Sequence, residues 1–161
     1  MLLGFVLLFY QYLKNPDASS IFNGLNLGIH ETGHLLFSWC GQFLCIAGGT
    51  IFQLAVPFYG MWNFYKQKDF FAVSLCFGWL STNLFNLSVY MNDAIVRQLH
   101  LVSPMGSEGI IHDWNYLFSH MGILPYCHIF AGLVWLLAVI SMLFCFYSGV
   151  WILWQMATYK G

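Results

Sequence analysis

The sequence predicts an all-α, polytopic membrane protein with three to four transmembrane helices and a shorter N-terminal helix. Two observations carry this. Of 161 residues, 60% are hydrophobic and 7% charged, against about a quarter charged in an ordinary soluble domain. The apolar residues also fall into long runs broken by short polar punctuation, and so few charges cannot cover a water-facing surface. The length suits a single integral membrane domain spanning residues 1–161. The lipid bilayer is the expected surrounding. A net charge of −1, with no basic run or stacking-aromatic pattern, gives no sign of a nucleic-acid partner.

The first apolar run, MLLGFVLLFYQYLK, resembles a signal-peptide core but lacks a basic leader, so it is expected to be retained. Its apolar part of about 13 residues is short for a span of about 20. NPDASS at 15–20 interrupts it; Pro16 disfavours helix before it, and Ser19 or Ser20 can cap the next helix. That helix is expected over about 21–40, with a corner at Gly41-Gln42. Further apolar segments cover about 43–65, with a kink at Pro57, then 70–91 and 126–157. Between the last two lies the longest polar stretch, 92–125, with a short helix expected near 112–121. Five scattered cysteines form no C-x-x-C pair and read mostly as small buried hydrophobes.

Orientation follows from the basic residues. Lys66 and Lys68 lie in one short loop and Lys160 follows the last span. The positive-inside rule makes that side cytoplasmic, so the 92–125 loop and the corner at Gly41 face outward. A bacterial-type inner membrane is the expected location.

Inside the 21–40 helix stands HETGH, residues 30–34. Residues four apart share a helical face, so His30 and His34 can present two imidazoles to one point, the geometry for Zn²⁺ held from one helix. Glu31 lies about 100° round the helix and can take a proton from water, as hydrolysis of an amide bond requires. A lone histidine on an apolar face is usually a satisfied core residue. Three residues in this order, one of them an acid expensive at membrane depth, point to a site. Asn23 and Asn26 extend the same stripe, which must face protein or water; an interhelical hydrogen-bonding face would account for the asparagines alone.

Two histidines leave zinc short of a protein ligand. STNLFNLSVYMNDA offers Asp93, with Asn83, Asn86 and Tyr90 on about the same face. HDWNY offers His112, with Asp113 as its outer partner and Trp114 and Tyr116 seating the loop at headgroup level. Both ligand choices stay open. Asn83, Asn86 and Gln53 are candidates for outer support or substrate contact, Gln53 more as a tie between helices. Gly48 and Gly49 permit close helix approach. His100, His120 and His128 read as interfacial or packing residues.

These residues resemble the site-2-protease class of intramembrane zinc metalloproteases. HETGH has that family's H-E-x-x-H form, and NLFNLSVYMNDA looks like a distant version of its later Asn-rich segment bearing a ligand Asp. The resemblance covers about residues 26–94. It implies zinc on two His and one Asp, which carries the third-ligand role to Asp93, with Glu31 as base. It also implies cleavage of peptide bonds in membrane or membrane-adjacent proteins. Here no Pro stands between Asn86 and Asp93, Ala94 follows the Asp where the family has Gly, and HDWNY has no counterpart. The alternative reading is a non-enzymatic accessory subunit of a larger membrane complex, binding haem, pigment or a structural metal. Histidines on two facing helices would suit haem; His30 and His34 share one.

Overall fold

The computed structural model describes residues 1–99 and 111–158, so the readings placed on His100 and Lys160 lie outside the described residues. Every regular element among the described residues is helical. They are α1 (Leu2–Lys14), α2 (Ile21–Phe37), α3 (Gln42–Lys66), α4 (Phe70–Asn92), α5 (Asp113–His120) and α6 (Cys127–Thr158), the last entered through a 3₁₀ turn at Leu124–Tyr126. Three stretches, Gln42–Lys66, Phe70–Asn92 and Leu124–Thr158, are long and apolar enough to cross a membrane. On α6 the outward residues Ile129, Leu133, Leu136, Leu137, Ile140 and Leu143 are all exposed, as a lipid-facing helix requires.

The punctuation acts as its chemistry dictates. Ser20 accepts the Phe22 N–H at 3.2 Å, and Asn23 returns the favour to the Ser20 N–H at 3.1 Å, closing a capping box on α2. The Tyr12 hydroxyl donates to the Ser20 hydroxyl at 2.9 Å, tying α1 to the start of α2. Gly41 turns the corner into α3 at φ +87°, a left-handed conformation that favours glycine. Asp69 caps α4 by accepting the Ala72 N–H at 2.9 Å. α3 continues as helix through the buried Pro57.

α4 packs most extensively against α6, and α3 lies between α2 and α4. Small residues set the closest approach: a Cβ on Gly33 of α2 would overlap the Gly48 carbonyl of α3, and one on Gly48 would come within 2.8 Å of the Phe37 ring. The beginning of α3, the end of α4 and all of α5 share one end of the bundle. His128 Nδ1 lies 2.7 Å from Asn92 Oδ1, and Asn115 Nδ2 donates to the Ala94 carbonyl at 2.8 Å. The Phe43 and His120 rings meet at 5.3 Å. α5 docks there because its Phe118 is buried beside Leu87, Met91 and Ala94 and, from α6, Cys127 and Ala131, with Leu117 also buried. Trp114 packs on the same cluster, its ring tilted 48° against Phe118 at 4.9 Å, a packing role where the sequence suggests a headgroup-level anchor.

Candidate metal site

α2 and α3 run antiparallel, and two stripes of four-residue spacing face each other: His30 and His34 on α2, Cys45, Gly49 and Gln53 on α3. The contacts follow that register. His34 Nδ1 lies 2.9 Å from the Cys45 carbonyl oxygen, and His30 Nδ1 lies 2.9 Å from Gln53 Oε1. Between them, a Cβ on Gly49 would stand 2.6 Å from His30 Nε2 and 2.7 Å from His34 Nε2. Any larger residue at 49 would occupy the space between the rings.

The two Nδ1 partners are oxygens that only accept, so each Nδ1 carries the proton and donates it. Both Nε2 atoms turn toward one carboxylate, each able to offer a lone pair to a cation or, when its ring is protonated on both nitrogens, an N–H to the carboxylate. That carboxylate belongs to Asp113, the first residue of α5. Its Oδ2 lies 2.8 Å from His30 Nε2 and 3.3 Å from His34 Nε2, and one ligating atom from each of the three residues lies within 4.8 Å of the others. His30 and Asp113 are buried, and His34 is the more open edge. Three lone pairs cannot face one another at these distances without a positive charge between them, supplied either by protons or by a metal cation. Burial alone would push the Asp113 carboxyl up, but the hydrogen bonds from His30 and His34 outweigh it and hold Asp113 below the usual carboxylate range, ionised at neutral pH. A His₂Asp set whose outer ring nitrogens are already engaged has the donor chemistry of a divalent-metal site, and His30, His34 and Asp113 could hold such an ion.

The third group at the His pair is therefore Asp113, which the sequence reading has as an outer partner, while the two residues weighed as ligand meet each other. His112 Nε2 lies 3.4 Å from Asp93 Oδ2. His112 Nδ1 accepts the Asn115 N–H at 3.2 Å as the cap of α5, so Nε2 is its protonated nitrogen and has no lone pair to give. Burial, only partly opposed by Asp93, pushes the His112 pKa down and keeps the ring neutral. Asp93 closes the chain after α4, accepting the Gln98 N–H at 2.8 Å and the Leu99 N–H at 3.0 Å.

The remaining candidates separate by height along the bundle. Gln53 orients His30. Asn86 Oδ1 accepts from Asn26 Nδ2 at 3.0 Å, and Asn26 Oδ1 accepts from the Trp79 indole at 3.0 Å, so these asparagines join α2 to α4. Asn83 is fully buried and donates to the Trp79 carbonyl of its own helix at 3.0 Å. Glu31 is half-buried, makes no hydrogen bond among the described residues, and lies within electrostatic reach of His34 and Tyr90. His120 stacks on Tyr116 at 5.8 Å, a packing role.

In the sequence Tyr90 stands only as a face-mate of Asp93. Its hydroxyl accepts the backbone N–H of Asp113 at 3.0 Å, and its ring lies 4.4 Å from His112 and 6.3 Å from His30. The signal was a tyrosine near the end of a span whose next acid is three residues on; nothing local distinguishes that from an interfacial anchor.

Comparison with known proteins adds no relative: no family model, no curated protein and no solved structure matches the chain.

Proposed function

We propose that the protein is a membrane-embedded zinc-dependent peptidase that cuts peptide bonds of membrane or membrane-adjacent proteins. The observation that supports it is the convergence of His30 Nε2, His34 Nε2 and Asp113 Oδ2, with each Nδ1 already donating outward. Zinc suits a set of two imidazoles and one carboxylate with a position left open. Bound there, it would supply Lewis acidity toward a peptide carbonyl and toward water. His30, His34 and Asp113 would hold the ion, while Gln53 and the Cys45 carbonyl keep the two rings turned inward.

Glu31, next to His30 and free of hydrogen-bond partners among the described residues, serves as general base. It takes a proton from the attacking water as the new C–O bond forms, then delivers it to the leaving nitrogen as the C–N bond breaks. With Lys66 and Lys68 on the cytoplasmic side, the metal site opens toward the outer half of a bacterial-type inner membrane. A substrate segment in or beside the bilayer would approach His34, the more exposed of the two histidines.

The test is Glu31→Gln in the full-length protein, reconstituted in liposomes with single-span reporter proteins. Metal content near one zinc per wild-type chain, unchanged in the variant, is the first expected result. Cleavage lowered by about 100- to 10,000-fold, the usual share of a general base, is the second. Undiminished cleavage by the variant, or a wild-type chain that takes up no zinc, would overturn the proposal.

A further inference from the structure

We infer that Tyr90, Asp93, His112 and Asn115 act as one latch that sets where Asp113 stands, and so tune metal affinity without touching the metal. The inference rests on the metal-holding half of the preceding reading and not on peptide cleavage.

α5 has eight residues, far below the 12–15 or so at which a helix holds its shape unaided. Its position is therefore imposed by contacts. The apolar contacts of Phe118 and Trp114 hold α5 against α4 and α6, but apolar packing tolerates small slides that a ligand position does not. The polar contacts fix the register, and all concentrate at the first turn of α5 and the end of α4. Tyr90 receives the Asp113 N–H at 3.0 Å, the bond nearest the ligand itself. Asn115 donates its side chain to the Ala94 carbonyl at 2.8 Å and its backbone N–H to His112 at 3.2 Å. His112 is sandwiched between the Tyr90 ring at 4.4 Å and the Asp93 carboxylate at 3.4 Å. Asp93 is itself held by the Gln98 and Leu99 amides.

The division of labour is by element. The histidines are set by α3, through Cys45, Gly49 and Gln53. The carboxylate is set by the end of α4, through Tyr90, Asp93 and Ala94. The metal site is where these two frames meet, so a fault in the α4 frame displaces one ligand out of three and leaves the other two in place.

The test measures Zn²⁺ affinity by chelator competition, the visible spectrum of the Co²⁺-loaded protein and the melting temperature of the metal-free protein, on the full-length chain in detergent. Tyr90→Phe removes the acceptor for the Asp113 N–H. Asp93→Asn weakens the grip on His112, and His112→Asn abolishes the link to Asp93 while keeping a good helix cap. Each is expected to bind one Zn²⁺ about 10- to 100-fold more weakly, the range seen for groups that orient ligands, with an altered Co²⁺ band. Should Tyr90→Phe fail to fold, the other two variants decide. Wild-type affinity and spectrum in these variants would overturn the latch while leaving the metal site standing. Complete loss of binding in Asp93→Asn together with retention in Asp113→Ala would overturn it too, since Asp93 would then be the ligand. A wild-type chain that binds no metal would remove both readings.

Discussion

Two pairings of histidine with aspartate lie at the same end of the bundle, and they differ in what their lone pairs do. At His30, His34 and Asp113, both Nδ1 atoms donate outward and both Nε2 atoms point at one carboxylate oxygen. At His112 and Asp93, the acceptors serve the backbone: His112 Nδ1 caps a helix and each Asp93 oxygen takes a backbone amide. The first could be closed by protons or by a divalent cation, whereas the second spends its acceptors on the backbone and leaves His112 Nε2 buried without a hydrogen-bond partner. Residue type alone does not separate a ligand from a strut, because the same side chains do both jobs. The hydrogen bond made on the far side of the ring decides.

The largest expected effect exploits that contrast. Asp113→Ala removes one of three donors and leaves two imidazole lone pairs with nothing opposite, so Zn²⁺ affinity should fall by more than the 100-fold or so that bounds the loss of an orienting group. Asp93→Asn should stay inside that bound. Isothermal titration on both variants checks the order. Equal losses would show that the two pairings form one site.

A smaller effect is expected at Gly49. Alanine there places a carbon 2.6–2.7 Å from both Nε2 atoms, so one ring must turn away. Overpacking of this kind costs about 1–3 kcal/mol, and here it falls on the two histidines. Gly49→Ala should lower Zn²⁺ affinity and metal-free melting temperature together, whereas Gly24→Ala, in a helix with open space around it, should leave the affinity unchanged and hold or raise the melting temperature. An unaffected Gly49→Ala protein would mean that the α2–α3 register differs from the one described.

The helical elements were legible in the sequence nearly residue for residue, because long apolar runs and their punctuation are local signals. The capping serine, the Gly41 corner and the short helix after residue 112 follow from the same local chemistry. The His30–His34 face was legible too, since its geometry depends only on the pitch of one helix. The partner of that face was not. Asp113 reaches it across 83 residues of chain, from a loop whose return path no local pattern fixes, and Asp93 stands at an equally plausible height. Gln53 and Gly49 share the difficulty: which face of α3 meets α2 depends on the Gly33–Gly48 approach, a property of two helices together. The asparagines misled for a related reason. Asn23, Asn26, His30 and His34 form a continuous stripe on paper, yet Asn23 caps the helix and Asn26 reaches α4, so only the upper half of the stripe belongs to the site.

That split gives the smallest prediction and a check on the first comparison. Asn26 holds Asn86 and Trp79 by bonds of 3.0 Å each. Interhelical side-chain bonds of this sort in membrane proteins average about 0.6 kcal/mol and reach about 1.7 kcal/mol. A double-mutant cycle of Asn26→Leu with Asn86→Leu, read by unfolding in mixed micelles, should return a coupling in that range. Zn²⁺ affinity should be unchanged in all three variants, because His30 is oriented by Gln53 and not by the asparagine one turn away. A loss of metal affinity matching that of Tyr90→Phe would mean that the stripe acts as a unit. The α4 frame would then govern the histidines as well as Asp113, and the separation of ligand from strut would have to be drawn elsewhere.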